Sequence, residues 1–236
     1  MSEILRQDQS RNRILSHLSA QDFGLLASSL TAVDLPVRMQ LEGPDKPIEY
    51  AYFIERGFAS VVANGTGSPG VEVGIIGSEG LTGMALVMAA DRSPNTTFIQ
   101  SPGRGQRISA SDLSTSMETC PSLRRSLLRY AHTFLVQMAY TALANSRNKL
   151  ETRLARWLLM AHDRAGGDEL ILTHEFLATM LGVRRPGVTV ALNFLEKRGL
   201  VRVQRKAIFV VDRQGLEEAA NHAYGAPEAE FRRLFG

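Results

Sequence analysis

The stretch LGVRRPGVTVALNFLEKRGLV, residues 181–201, sets two adjacent arginines and a proline where a new apolar period begins. Val188, Leu192 and Leu195 recur at helical spacing, which predicts a buried stripe on a helix that starts near Arg184. Pro186 fits its first turn, because the N–H that proline lacks would have no intrahelical partner there. A helix N-terminus is already partly positive, so Arg184 and Arg185 gain nothing from the dipole and are placed to meet an anion from outside. Just upstream, LTHEFLATML predicts a shorter helix capped by the Thr173 hydroxyl, with Leu177, Ala178 and Leu181 facing inward. Ala178 is small where two helices cross, and Gly182 permits the positive φ of the turn between them. The pair reads as a helix-turn-helix. Arg184, Arg185, Thr189 and Asn193 fall on or near its exposed side, where an arginine fork matches guanine O6 and N7 or a phosphate. The anion is therefore expected to be double-stranded DNA.

Downstream, LVRVQRKAIFVVD alternates like a two-stranded wing, with Arg202, Arg205 and Lys206 placed to touch the flanking DNA backbone. Upstream, Leu154, Trp157, Leu158 and Ala161 predict a helix over about 150–164 that closes at Gly166-Gly167. Before it, from Pro121 to Arg147, glycine and proline vanish, and Leu127, Ala131, Phe134, Met138 and Thr141 form a narrow seam at spacings of three and four. A long helix with so narrow a seam is expected to pair with its own copy, the alternative being a helix lying on its own barrel. From Val33 to about Ser111, short runs such as YAYFIERGFASVVA, VEVGIIG and TTFIQ alternate with Gly, Pro, Asn and Ser clusters. This texture predicts antiparallel strands in a small jelly roll or barrel. Residues 11–31 predict two short helices, broken at Ser19 and Gly24. The expected division is 1–120, a β-roll; 121–147, a dimerisation helix; and 148–236, a winged helix-turn-helix, an α+β architecture overall.

Composition narrows the function classes. The chain of 236 residues is 44% hydrophobic and 22% charged, too apolar for a disordered chain, with a net charge of +3 and a pI near 9.2. Its one cysteine, Cys120, excludes an internal disulfide and an iron–sulfur cluster on ligand count. No leader pattern opens the chain, and no apolar run nears the roughly 18 residues a membrane span needs, so a cytoplasmic protein with no membrane partner is expected. GTGSPG, residues 65–70, matches a dinucleotide fingerprint literally, but a strand-like VEVGII follows it where a helix is required, so it reads as a hairpin loop. Cys120 and His132 lack an orienting acid, and an enzyme is not expected. His132, His162 and His174 read as surface or capping residues, and Met84 and Met88 as filling for the roll.

Through these residues the chain resembles the Crp/Fnr family of bacterial transcription regulators over nearly its whole length. The likeness is carried by RLARWLLMAHDR, by LTHEFLATMLGVRRPGVTVALNFLEKRGLV and, more loosely, by GSEGLTGMALVMAADRSPNTT. The resemblance implies a cyclic-nucleotide-binding-like β-roll, a dimerisation helix and a winged helix, in that order. It makes Arg185 a base-reading arginine and Thr173 and His174 backbone contacts. Pro186 and Val190 stand where the cyclic-AMP receptor branch has a glutamate and a second arginine, so the operator is expected to differ. At the effector pocket, Arg92 and Ser93 occupy the phosphate positions, while the ribose-binding glutamate position falls on Leu81 or Thr82, next to Gly83. Leucine cannot accept the ribose hydroxyl's hydrogen bond, so cyclic AMP is disfavoured and no cofactor is assigned. The resulting expectation is a homodimer that reads a near-palindromic operator and acts with RNA polymerase. The alternative is a cyclic-nucleotide-responsive module whose winged helix docks on protein.

Overall fold

The structure is a computed structural model that describes residues 5–65 and 70–236. Most of GTGSPG therefore lies outside the described residues. After a 3-10 turn at Gln7–Gln9, the chain forms α1 (Arg13–Ser16), α2 (Ala20–Ala27), β1 (Thr31–Leu35), β2 (Gln40–Glu42), β3 (Tyr50–Ala63), β4 (Val71–Ile76), α3 (Met84–Val87) and β5 (Thr96–Ser109). The C-terminal half continues with α4 (Ala110–Thr119), α5 (Pro121–Arg147), α6 (Leu150–Ala165), β6 (Glu169–Leu170), α7 (His174–Leu181), α8 (Arg185–Lys197), β7 (Val201–Gln204), β8 (Ala207–Val210), α9 (Arg213–Ala219) and α10 (Ala226–Phe235). Ser19 separates α1 from α2 by capping Asp22, whereas Gly24 lies inside α2 and breaks nothing.

One antiparallel sheet runs in the order β1-β5-β3-β4, with β2 added on β5. Strand β3 is apolar along most of its length because both its faces are covered, one by the first core and one by α6. Gly57, at φ +75, lets β3 bulge against β5; a Cβ there would meet the Ser101 carbonyl oxygen at 2.4 Å. Strand β4 ends the sheet, and the Gln137 side chain of α5 satisfies that edge. Its Oε1 accepts from the Ile75 N–H at 2.7 Å and its Nε2 donates to the Ile75 carbonyl at 3.2 Å.

Two cores form. The first joins the sheet, α1, α2 and α5, and also takes Phe231 and Phe235 of α10, a helix whose position in the chain would place it with the wing. The second joins α6, α7, α8, α9 and the wing, and takes Phe58, Val62 and Ile75 from the sheet. Each half thus contributes apolar side chains to the other's interior.

The long helix corrects the seam read from its sequence. Leu127, Ala131 and Phe134 are buried against their own sheet, Met138 packs at the edge of that core, and the Thr141 hydroxyl accepts from Arg156 at 3.1 Å. The reason is that α5 lies on its own roll, so its most regular apolar face is used within the chain. A different stripe is left uncovered: Leu128, Leu135 and Leu143 are 49%, 54% and 47% exposed.

Candidate nucleic-acid interface

The reading head is built around one sharp turn. The Thr173 hydroxyl caps α7 by accepting from the Phe176 N–H at 3.2 Å. Gly182 ends that helix at φ +62, and the Val183 N–H returns to the Ala178 carbonyl at 2.9 Å, a closure that a side chain at this φ would strain. Helix α8 starts at Arg185, with Pro186 in its first turn, and buries Val188, Ala191, Leu192 and Leu195. Arg153 of α6 holds the crossing from behind, donating to the Leu181 carbonyl and to Asn145 of α5.

Strands β7 and β8 pair from Val201↔Val210 to Gln204↔Ala207, leaving Arg205 and Lys206 as the tip of the wing. Lys206 adopts φ +66, and its carbonyl accepts from the Leu172 N–H at 3.0 Å, so the wing tip is fastened beside the cap of α7. Within β7, Glu196 of α8 accepts from the Val203 N–H at 2.7 Å.

These ties gather Thr173, His174, Arg185, Arg205 and Lys206 around one open concavity of about 660 Å³. Gln204 and Glu175 share its rim and were not singled out in the sequence; alternation along β7 could have placed Gln204 on the same side as Arg202. His174 is steered by Thr189, whose hydroxyl lies 3.0 Å from its Nδ1. Three of the sequence candidates stand apart from this concavity. Arg184 is exposed just ahead of α8, Thr189 is held beside His174, and Arg202 lies flat over Phe209 with its guanidinium carbon 4.8 Å from the ring centre. Asn193 is exposed on α8, next to the exposed apolar side chains Val190 and Phe194.

The expected effector residues differ in burial and in what they bond. Leu81 is fully buried and bridges to Phe53, while Thr82 is locked to Tyr52 through its backbone N–H at 3.0 Å and its hydroxyl at 3.2 Å. Gly83, at φ +77, donates its N–H to Glu42 at 2.8 Å. Glu42 itself carries no sequence signal: it is a buried carboxyl whose pKa is raised by burial, with the Gly83 bond pulling it back. Arg92 is 53% exposed and forms a two-pronged pair with the adjacent Asp91, at 3.0 and 2.8 Å. The Ser93 hydroxyl accepts from the Asn95 N–H in a local turn. Leu81, Thr82 and Gly83 are thus buried, Arg92 faces solvent, and Ser93 is half-buried.

The remaining sequence candidates are accounted for locally. Cys120 is buried beside the Asp22 carbonyl, while His132 pairs with Glu230 of α10 at 2.7 Å. His162 lies between Asp168 and Arg213. Met84 packs on the first core and Met88 is exposed. Among the described residues, no helix is long and apolar enough to cross a membrane, and no group of His, Cys, Asp or Glu is arranged to hold a metal ion.

Residues 152–219 match the family described as the Crp-like helix-turn-helix domain. Among curated proteins, none matches this chain. Among solved structures, the chain is similar to a protein from Eubacterium rectale assigned to the crp/fnr family of transcriptional regulators, at 17% identity and TM-score 0.69, covering 88% of this chain and 97% of that one. It is similar to the c-di-GMP responsive global regulator CLP of Xanthomonas campestris, at 18% identity and TM-score 0.66, covering 81% and 99%. It is also similar to a CRP-family transcriptional regulator from Thermus thermophilus, at 17% identity and TM-score 0.65, covering 82% and 99%. At these identities the likeness establishes the fold, and the proteins that share it here are described as regulators rather than enzymes.

Proposed function

Starting from a Crp-like helix-turn-helix domain carried on the Crp/Fnr regulator fold, we propose that the chain is a homodimeric, sequence-specific DNA-binding transcription regulator that does not use cyclic AMP as its effector. The observation that carries this reading is the concavity in which the α7 cap, the start of α8 and the wing tip bring Thr173, His174, Arg185, Arg205 and Lys206 together. In the proposed complex, Arg184, Arg185 and Thr189 face base edges in the major groove. Thr173, His174, Arg205 and Lys206 hold the phosphates, and Arg202 flanks them from the wing. Residues 1–120 act as sensor, 121–147 as pairing helix and 148–236 as reading domain. The protomers pair through the uncovered stripe of Leu128, Leu135 and Leu143, so two heads meet half-sites about 34 Å apart on a near-palindromic operator. Bound there, the dimer lies where RNA polymerase can be contacted. The buried Leu81 and Thr82 and the Asp91-bound Arg92 support independence from cyclic AMP.

Selection of retained sequences from a pool of random duplexes, with and without cyclic AMP, tests the reading. A two-fold symmetric motif enriched equally in both arms is the expected result. Enrichment only with the nucleotide would restore the cyclic-AMP effector, and absence of any motif would count against sequence-specific DNA binding.

A further inference from the structure

A cavity of about 280 Å³ lies where the loop after β4, α5, α6, α9 and α10 meet, sharing no lining residue with the concavity at the start of α8. Tyr130 forms part of its wall. The ring is 2% exposed and pressed against Gly80, and its hydroxyl has no hydrogen-bond partner among the described residues. A buried hydroxyl left without a partner is costly, which marks a position that a ligand could satisfy. Beside it, the Arg164 side chain, 9% exposed, gives Nε to Glu79 at 2.7 Å and Nη1 to the Met160 carbonyl at 2.8 Å. Its Nη2 donates to no acceptor among the described residues. Arg13 closes the other side, its guanidinium 5.2 Å above the Phe231 ring and without a carboxylate partner among the described residues.

The acids of the cavity are all engaged. Glu79 holds Arg164, Asp163 holds Arg213 at 2.8 Å, and Glu228 accepts from the Gly225 N–H at 2.9 Å. Arg13, Arg232 and the Arg164 Nη2 are thus left as donors among the described residues, against one carboxylate oxygen each of Glu79 and Glu228 as acceptors. Arg13, Arg164, Arg213 and Arg232 against Glu79, Asp163 and Glu228 leave one uncompensated positive charge, and Phe134, Pro227 and Phe231 supply flat apolar walls.

We propose that this cavity is a ligand site for a small aromatic carboxylate, its carboxylate held by Arg13 and Arg164 with the Tyr130 hydroxyl, and its ring between Phe134 and Phe231. The volume lies at the small end of ligand pockets, which suits one ring and one acid group. Because α10 and α9 form one side and the loop after β4 and α5 the other, occupancy would tighten the joint between sensor and reading head. Binding itself does not depend on the DNA-reading proposal, and the test uses no DNA.

The test is isothermal titration of the full chain with benzoate, phenylacetate and 4-hydroxybenzoate, and with neutral benzamide as control. The expected result is saturable binding of at least one carboxylate at one site per chain, with benzamide silent. Arg13→Gln, an exposed position, and Tyr130→Phe, which keeps the packed ring, should each weaken it about tenfold. No heat from any of the three carboxylates, equal binding of benzamide, or affinity unchanged in both variants would overturn the proposal.

Discussion

Asn12 shows how much of this fold hangs on single side chains. Fully buried, it caps α1 by accepting from the Ile14 and Leu15 N–H groups at 3.1 and 3.3 Å, and its amide donates to the Ile54 and Gly80 carbonyls at 2.9 and 2.7 Å. Alanine there would remove a cap and strand two buried carbonyls, so Asn12→Ala should lower stability by about 3 kcal/mol. Urea unfolding reads this directly, and a loss below about 1 kcal/mol would mean that water replaces the amide. In the proposed DNA complex the side chains separate by what they would touch. Arg185→Ala should cost roughly 1–3 kcal/mol of operator binding and relax one base position, because a forked donor to a base edge has no substitute. Lys206→Ala should weaken all sequences alike and flatten the salt dependence by about one ion, as loss of a phosphate contact does. Binding measured over single-base operator variants at several salt concentrations separates the two. An equal loss across sequences for Arg185→Ala would move that residue to the phosphate class.

Between elements, the most consequential contact is Glu72 of β4 against Trp157 of α6. The carboxyl accepts from the indole N–H, its second oxygen has no hydrogen-bond partner among the described residues though the Ser60 hydroxyl lies near it, and burial pushes its pKa up to about 7 against the opposing pull of Ser60 and Trp157 and, more weakly, of Arg156 and Arg164. An acid whose folded pKa is raised binds its proton more tightly when folded. The neutral form therefore stabilises the fold fully below pH 4.5, and that stabilisation fades as pH rises to about 7, by on the order of 3 kcal/mol in all. Trp157 is the chain's one tryptophan, so its emission should titrate near neutrality and lose that step in Glu72→Gln, which should also unfold at higher denaturant than the parent at pH 8. A step that persists in the variant would assign the titration elsewhere. Nothing in the sequence marks Glu72, because its partner lies 85 residues away. By contrast, the bounds of α5, the turn at Gly182 and the two-stranded wing were legible, since Pro121, the glycine and the strand alternation act locally, whereas the two-residue tip at Arg205-Lys206 is fixed only by the register of the strands. The inward seam of α5 was legible as a stripe but not in its partner, because periodicity reveals an apolar face and says nothing of what covers it. The same reasoning turns the uncovered Leu128, Leu135 and Leu143 into a prediction. If the chain pairs as proposed, Leu135→Glu should leave the fold intact and convert the proposed dimer to a monomer by light scattering, whereas a dimer unchanged in the variant would place the interface elsewhere.

At the scale of the whole molecule, the two cores are laced together rather than stacked. Phe58, Val62 and Ile75 leave the sheet to enter the reading head's interior, and Phe231 and Phe235 of α10 return from the far end of the chain to the sensor's. The Phe231 and Phe235 rings stack with centres 4.6 Å apart, and Arg13 lies over the first of them, so α10 clamps α1 and α5 from outside the sheet. Two domains joined by one linker can unfold separately, but here exposing either core strips apolar surface from the other. Burial of one large aromatic side chain is worth about 1.5–3 kcal/mol, and the laced residues together represent a sizeable part of a typical domain's net stability. Calorimetry should therefore record one cooperative transition, with calorimetric and van't Hoff enthalpies in agreement. Phe58→Ala combined with Phe231→Ala cuts both laces and should split that transition into two, while neither single change does so. Two transitions in the parent chain would show that the N-terminal roll and the winged helix-turn-helix are energetically independent, and in the proposed regulator a signal at the roll would then have to reach the DNA through protomer pairing alone.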